Sequence, residues 1–395
     1  MGFDLKLAGG PENRLFDPDL MACLVEVRVE QSLDAPTRFA IRFQDDIVDG
    51  ALRKASAPDL QVGRDVTVAV KTDAALHVLV RGPILGTQSQ MTRGGPGSSY
   101  TVEGTDGRDA LARDYREGSW TGRASGVVQT LLAARYPDQD VAATEEVHDE
   151  RANPLRQRGT DLDFVTAQAR ENSFRFWIDY ADARLTAGDT RLQVTERACW
   201  KPSPPLQDTG PLPPPPIQLA DDAVVLRYNT APDSCSNLTR WEVRRDGTRP
   251  NRVNAATQNI ADGETDPVTG TDPASGMGGS ARRAADVAGV RFIVPSPEPG
   301  ASGARRINMA ALREAGFFVK ADVSTTGHLL RAVLQPHQVV AVEGVGGRNG
   351  NTPFLVAEVT HVINGAGHFM DAKLETNAEV AVRSAHERRR GLSRA

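Results

Sequence analysis

The beginning of this chain of 395 residues resembles its end. Residues 60–68 read LQVGRDVTV and residues 334–342 read LQPHQVVAV, and each is followed at similar spacing by a second apolar run and a third strand-like stretch. The pattern predicts that the chain contains one small β-unit twice. Two copies in each chain place two equivalent surfaces around an axis, so three chains would present six.

The repeat extends upstream in both copies. In the first copy, residues 23–31 lead through a Pro-containing turn into residues 38–43. In the second copy, residues 224–229 lead through a similar turn into residues 238–244. We therefore match 23–31 with 224–229, and 38–43 with 238–244.

The composition favours a multidomain, loop-rich β protein. A chain of 395 residues usually divides into two to four domains, and 36 Gly and 25 Pro with only 5% aromatic residues indicate many turns. The net charge of -5 gives no general attraction to nucleic acid or to anionic membranes. No apolar run approaches 18 residues, and residues 1–6 resemble no signal peptide, so neither a membrane anchor nor export is expected.

Three cysteines, Cys23, Cys199 and Cys235, are far apart in the sequence. An odd number without CxxC spacing fits a reducing compartment better than a disulfide framework. We predict that they are small buried groups and that they bind no metal.

Residues 1–106 are predicted to form the first tube-like β-domain. Cys23, Val25, Val27 and Val29 alternate with mostly charged residues, which is the period of a strand with one covered face. The Gly-rich stretch 94–99 is predicted to be the exposed turn of a long hairpin.

Residues 107–220 are predicted to form an α+β insert domain. Helical spacing is expected around residues 110–115 and over residues 124–136, and a third helix is expected from the N-cap Thr160 to about Asn172. Short strands are expected at residues 175–180 and 191–194. The insert ends in a Pro-rich linker over residues 201–217, for which a ligand of another domain is the alternative reading.

The second tube-like β-domain is predicted over residues 221–245 and 317–382. Residues 246–316 interrupt it as a polar loop with short helical patterns at 281–287 and 307–315. Residues 383–395 are predicted to form a basic tail that is exposed to solvent. The alternative is a basic arm that binds a partner or nucleic acid. The predicted fold class is mainly β, with two duplicated small β-barrel domains and an α+β insert.

No enzymatic constellation stands out in the sequence. HExxH, G-x-S-x-G and GxxxxGK[ST] are all absent, and the Gly-rich run 344–350 is followed by a strand pattern, so it is predicted to be a hairpin turn. His361 and His368 flank a turn and are expected to face each other across a hairpin. The two histidines could share a metal ion. We favour the interpretation that they are strand residues with satisfied hydrogen bonds, because no third ligand lies near in the sequence. We therefore predict no catalytic, cofactor or metal site.

Several segments resemble the baseplate hub proteins of contractile phage tails and related injection systems, the late control protein D family. The resemblance rests on EGTD at residues 103–106, on DLDF at 161–164 followed by ARENSFRF at 169–176, and on HVI at 361–363 leading into residues 369–377. Ser173 departs from the pattern, where the family commonly has Gly, and little cost is expected at a helix C-terminus.

The resemblance implies a structural, non-enzymatic homotrimer whose two β-domains per chain form a pseudo-sixfold ring. Such a ring docks on the hexameric tail tube and holds the trimeric central spike, and it contacts other baseplate proteins. The expected location is a virion tail baseplate or an injection particle assembled in the bacterial cytoplasm. No cofactor and no nucleic-acid binding are expected, beyond passage of nucleic acid through a lumen, and the spike is expected to be a separate protein.

Two other functions stay open at this point. A tail-associated cell-wall hydrolase would need a buried acid in a groove, for which residues 107–220 are the only place. A carbohydrate-binding tail component would usually expose aromatic residues, and the tryptophans available are Trp120, Trp177, Trp200 and Trp241.

Overall fold

Alternating apolar and polar residues make this chain mainly β, as predicted: strands account for 49% and helices for 17% of the computed structural model. The structure describes residues 4–48, 51–73, 75–93, 97–151, 153–185, 188, 190–206, 219, 223–229, 236–258, 265–271, 276–277, 292–293, 301–346 and 352–379. The chain forms two units. The first comprises Met1–Ser203, Ser324–His337 and Ala357–Ala372, and the second comprises Pro204–Val323, Gln338–Val356 and Lys373–Ala395.

The N-terminal part of the first unit is built almost entirely from strands. One short helix, α1 (Pro18–Ala22), and a 3-10 turn at Pro58–Leu60 accompany them. The strands are β1 (Asp4–Gly9), β2 (Arg14–Leu15), β3 (Leu24–Ser32), β4 (Arg38–Gln44), β5 (Ile47–Val48), β6 (Ala51–Leu52), β7 (Asp65–Lys71), β8 (Leu76–Gln90) and β9 (Ser99–Thr105).

The main sheet of this region has the order β3-β4-β9-β8-β7-β1-β2. Its neighbouring strands are antiparallel, for example with Val27 opposite Ile41 and Ile41 opposite Val102. Inward residues from β1, β3, β4, β7, β8 and β9 share one hydrophobic core, so strands from both ends of the order cover the same interior. The predicted alternation holds at Val27 and Val29, which are fully buried, but a β-bulge leaves Val25 exposed.

The predicted long hairpin is present: β8 and β9 pair from Ile84 opposite Gly104 to Gln90 opposite Ser99. The turn lies between these strands, and its residues 94–96 lie outside the described residues.

The insert contains two helices beside short strands. They are β10 (Tyr115–Trp120), β11 (Gly122–Arg123), α2 (Ala124–Ala133), β12 (Asp138–Val141), β13 (Val147–His148), β14 (Leu155–Thr160), α3 (Asp161–Glu171), β15 (Arg175–Arg184) and β16 (Gln193–Lys201). A separate hydrophobic core joins α2 and α3 to β15 and β16 around Trp200, which is fully buried. The helical spacing predicted around 110–115 was wrong: a 3-10 turn at Gly107–Leu111 leads into β10, whose residues pair with β14.

The predicted N-cap of α3 is confirmed. The hydroxyl of Thr160 accepts from the backbone N–H of Asp163, and the Asp163 carboxylate accepts from the backbone N–H of Thr160, so the two residues form a capping box. At the other end Ser173 has a left-handed backbone, with φ at 59°. A residue other than glycine in the left-handed conformation lowers the stability of the fold by about 1 kcal/mol. The replacement of Gly by Ser173 therefore costs more than we expected from the sequence.

The second unit contains short strands and the longest helix described. The elements from this part of the chain onward are β17 (Val225–Arg227), β18 (Arg240–Arg245), β19 (Arg252–Gln258), β20 (Thr265–Gly270), β21 (Phe292–Ile293), α4 (Ala301–Ala315), β22 (Val319–Thr326), α5 (Gly327–Leu330), β23 (Val339–Glu343), β24 (Phe354–Asn364) and β25 (Gly367–Thr376). β23 pairs antiparallel with the start of β24, which confirms the hairpin predicted around residues 344–350.

The strand order corrects the upstream half of the repeat. β4 lies between β9 and β3, and β22 lies between β25 and β18. The strand at Arg240–Arg245 therefore takes the place of β3, not that of β4 as matched from the sequence. The mismatch arose because residues 246–318 separate β18 from its partner strand, so the neighbour in sequence was not the neighbour in the sheet.

Several predictions fall outside the described residues. These are most of the Pro-rich linker, the helical pattern at 281–287, the basic tail at 383–395 and Cys235. Of the other cysteines, Cys199 is buried as predicted, and Cys23 is only partly buried. The five-part domain division stays a prediction. Among the described residues, no helix is both long and apolar enough to cross a membrane.

Candidate assembly interface

A strand of the second repeat completes the sheet of the first. Within the first unit, β24 pairs antiparallel with β3, from Glu358 opposite Ser32 to Asn364 opposite Glu26. We call this pairing the β24–β3 junction. It adds a strand from the C-terminal repeat to the edge of the N-terminal repeat, so one chain contains a strand-to-strand contact between its two copies.

The inner side of the junction is apolar. Val27 and Val29 of β3 are fully buried and share the main core with Ile363 of β24. Val27 stands directly opposite Ile363. Burying such a pair stabilises the contact by about 1.5–3 kcal/mol for each side chain that is fully covered.

A chain of hydrogen bonds crosses the junction at His361 and His368. The two imidazoles lie 2.9 Å apart, from Nδ1 of His361 to Nε2 of His368. Nε2 of His361 lies 3.1 Å from Oε1 of Gln31, and Nε2 of Gln31 donates to the carbonyl of Leu79 at 2.7 Å. Because the Gln31 oxygen only accepts, Nε2 of His361 carries the hydrogen and its Nδ1 accepts from His368.

These hydrogen bonds confirm that the two histidines face each other across the hairpin, and they pair both ring nitrogens of His361. Their facing nitrogens share one hydrogen. Among the described residues, no group of three or more His, Cys, Asp or Glu side chains is placed to hold a metal ion. Sequence reasoning missed Gln31, although an amide at an inward position of an alternating strand was a signal for a buried polar partner.

Burial keeps both imidazoles neutral. It lowers the pKa of His361 well below its ordinary value, with a further lowering from His368. Burial also lowers the pKa of His368 to about 4.

Acidification is expected to weaken the junction between pH 6.5 and pH 4. In the unfolded chain His368 titrates near its ordinary pKa of 6.5, and in the folded chain near 4, so the unfolded state binds more protons between these values. Stability is complete above pH 6.5 and falls as the pH drops, by up to about 3 kcal/mol for this residue. Urea unfolding at pH 7 and pH 5 should show a larger loss in the wild type than in His368→Gln.

The matched control for this prediction is His328→Gln, which changes an exposed histidine. It should keep the pH dependence of the wild type. Equal slopes for the wild type and His368→Gln would contradict the role of the buried pair.

A buried ion pair fixes the passage from the first β-unit into the insert. The Asp106 carboxylate accepts from Arg108 at 2.7 Å and from the backbone N–H of Thr37 at 2.7 Å. Arg108 also donates to the carbonyls of Phe176 and Ala35, each at 2.9 Å. Both charged groups are almost fully buried, so Arg108 ties β15 to the turn before β4. The sequence motif drew attention to Asp106, but nothing in it singled out Arg108.

A cell-wall hydrolase would need a buried catalytic acid, and the sequence leaves only the insert, residues 107–220, as its place. Burial raises the pKa of Glu196, which lies near the Tyr136 hydroxyl across from Gly107. Two cavities of the first unit have volumes of about 650 Å³ and about 120 Å³, and neither is lined by Glu196. The smaller cavity has one acid, Asp179, on an exposed strand position. The structure therefore brings no buried acid into either cavity.

The four tryptophans make internal contacts. Trp200 is buried and donates to the carbonyl of Val165, and Trp120 donates to the side chain of Gln157. Trp177 stacks on His337 with ring centroids 3.8 Å apart. Trp241 meets Phe354 edge to face at 5.7 Å. These contacts use the rings in packing rather than in an exposed sugar platform.

No protein-family profile and no curated protein sequence matches the chain. Among solved structures, the 43 kDa tail protein of prophage MuSo2 from Shewanella oneidensis is similar with a TM-score of 0.62 and 13% identity, over 94% of this chain and 98% of that one. The tail protein from Neisseria meningitidis MC58 gives 0.60 and 13%, over 95% and 97%. A chain of the Francisella PdpA–VgrG complex gives 0.50 and 7%, over 96% and 53%.

The chain therefore has the fold of phage tail proteins. The likeness to the two tail proteins spans nearly the whole of each chain, so it includes both repeats and the insert. At these identities it establishes the fold, and it confirms at that level the resemblance drawn from the sequence.

Proposed function

We propose that this chain is the structural hub of a phage tail baseplate or of a contractile injection system. Three copies form a ring with pseudo-sixfold symmetry, which joins a hexameric tail tube to a trimeric central spike. The role is structural and non-enzymatic, and it requires no cofactor. The fold shared with tail proteins supports this proposal.

The observation that carries the proposal is the β24–β3 junction. The junction pairs the two repeats of one chain edge to edge. A ring of six similar units needs such a contact between each pair of neighbours. Three such chains supply six repeats, with three contacts inside chains and three between them. In this arrangement residues 1–106 form one tube-like domain, and residues 221–245 with 317–382 form the other.

The proposed partners follow from this symmetry. One face of the ring meets the tail tube, where six similar surfaces match six subunits. The other face holds the spike, where three insert domains match three subunits, and other baseplate proteins bind around the ring. The proposed site is the tail of a virion or injection particle, which assembles in the bacterial cytoplasm.

The particle mass in solution tests the ring. We expect the chain, alone or co-expressed with the spike candidate from its locus, to give a mass of three times 42.5 kDa plus any spike by light scattering. Class averages from electron microscopy should then show six lobes. A strict monomer in both preparations would contradict the hub, and cell-wall hydrolysis by the insert would be the next assay.

A further inference from the structure

One edge of β8 continues beyond its partner strand. Residues 76–83 pair with β7 on this edge, and residues 84–90 pair with β9 on the opposite edge. Ile84 still exchanges backbone hydrogen bonds with Gly63 and Arg64 on the β7-side edge, and beyond Ile84 no strand that the structure describes pairs with this edge. Backbone N–H and C=O groups along residues 85–90 of this edge are therefore available to another strand.

The repeat shows what occupies the same place in the second copy. Val66 stands opposite Gly82, and its repeat counterpart Val340 stands opposite Phe354. Nine positions further along the chain from Gly82 and Phe354 lie Met91, the residue directly after β8, and Ile363, so these two residues correspond. In the second copy this stretch is the part of β24 that pairs with β3. In the first copy, no strand in the described part of the chain covers the corresponding stretch.

Side-chain exposure marks the difference between the two copies. Met91 is 64% exposed, whereas its counterpart Ile363 is 8% exposed. Ser89 is exposed, whereas its counterpart His361 is buried. An apolar side chain left in water at a position that is covered in the other copy indicates a missing partner strand.

The strand that corresponds to β3 is β18, which lies at the end of the strand order and pairs only with β22 among the described strands. Its inward residues, Trp241 and Val243, are only partly buried, whereas Val27 and Val29 of β3 are fully buried. Aligning these pairs also aligns the outward charges of the two strands, Glu26, Arg28 and Glu30 with Arg240, Glu242 and Arg244. Such charges keep an exposed edge from pairing indiscriminately.

We propose that β8 of one chain pairs antiparallel with β18 of a second copy, extending the sheet across the boundary between chains. The β24–β3 junction fixes the register, so Ser89 stands opposite Val243 and Met91 stands opposite Trp241. Each chain offers one edge of each kind, so the contact is head to tail, and in the proposed trimer it closes after three chains. This inference rests on the proposed trimeric hub and names the contact that builds it.

Paired cysteines test the register. We expect Ser89→Cys/Val243→Cys to form covalent trimers on mild oxidation, because directly opposite residues have Cβ atoms within reach of a disulfide. Co-expressing the two single variants should give covalent dimers that contain one of each. The control Gln88→Cys/Val243→Cys places one cysteine on the other face of the strand and should cross-link at least tenfold less.

A second variant tests the same contact without oxidation. Met91→Asp should lower the trimer fraction at least tenfold at a fixed concentration, because a carboxylate would be buried against Trp241. Val147→Asp is the matched control, since Val147 is 61% exposed and lies in β13 of the insert, which pairs with β11 and not with β8. It should leave the trimer fraction unchanged.

The outcomes separate this inference from the hub itself. Covalent trimers from the predicted pair, with loss of trimer in Met91→Asp only, would support the pairing. A trimer by light scattering that shows neither effect would overturn the pairing while leaving the hub in place. A chain that stays monomeric with its spike candidate would overturn both.

Discussion

Replacing Arg108 with methionine is expected to lower the free energy of unfolding by about 3–5 kcal/mol. The substitution leaves the carboxylate of Asp106 buried without its cation, and it removes hydrogen bonds to Phe176 and Ala35. Burial by itself lowers the pKa of the Arg108 guanidinium, but the charge and hydrogen bonds of Asp106 raise it by more. The pKa therefore lies above its ordinary value. Urea unfolding at pH 7 measures the effect.

Arg113→Met is the matched control in the same segment. Arg113 also pairs with an aspartate, Asp109 at 2.7 Å, but its side chain is largely exposed. The expected loss is about 0.3–0.5 kcal/mol, because water and salt screen such a pair. If Arg108→Met cost no more than this control, the buried pair would not be what ties the insert to the first β-unit.

Gly104→Ala is expected to destabilise the first unit by about 3 kcal/mol or to prevent soluble folding. A Cβ at this position would lie 2.2 Å from the carbonyl oxygen of Pro83 and 2.4 Å from the Phe39 ring. The ring can move, but the Pro83 oxygen belongs to the backbone of β8 and cannot. The soluble yield and the urea midpoint measure the outcome.

Gly118→Ala provides the comparison, because a Cβ on Gly118 meets no atom within 4 Å. This change lies in β10 and should be neutral or slightly stabilising, by up to about 1 kcal/mol. Wild-type stability in Gly104→Ala would show that β8 and β9 can separate at this point without cost.

Local features were predictable because they depend on neighbouring residues. The N-cap at Thr160, the hairpin between His361 and His368, and the long turn between β8 and β9 each follow from short patterns. The helical spacing around Tyr115 failed because pairing with β14 decided that segment.

The β24–β3 junction could not be read from the sequence. An alternating strand shows which of its faces is covered, but the hydrogen-bonding groups along its edges are the same in every strand. Nothing in β24 therefore distinguishes β3 from any other edge. The inward position of Gln31 indicated a buried amide, but its partner His361 lies more than three hundred residues away in the sequence, so the pairing could not be predicted.

The sequence by itself determined the downstream half of the repeat, the mainly β class and the inward residues Val27 and Val29 of β3, because periodicity and apolar burial act locally along the chain. The tertiary structure alone decided which edges pair, which charges are buried together at Arg108, and which edges of β8 and β18 have no partner among the described strands. Those outcomes depend on the order of strands in space, which brings together backbone groups that no local pattern relates.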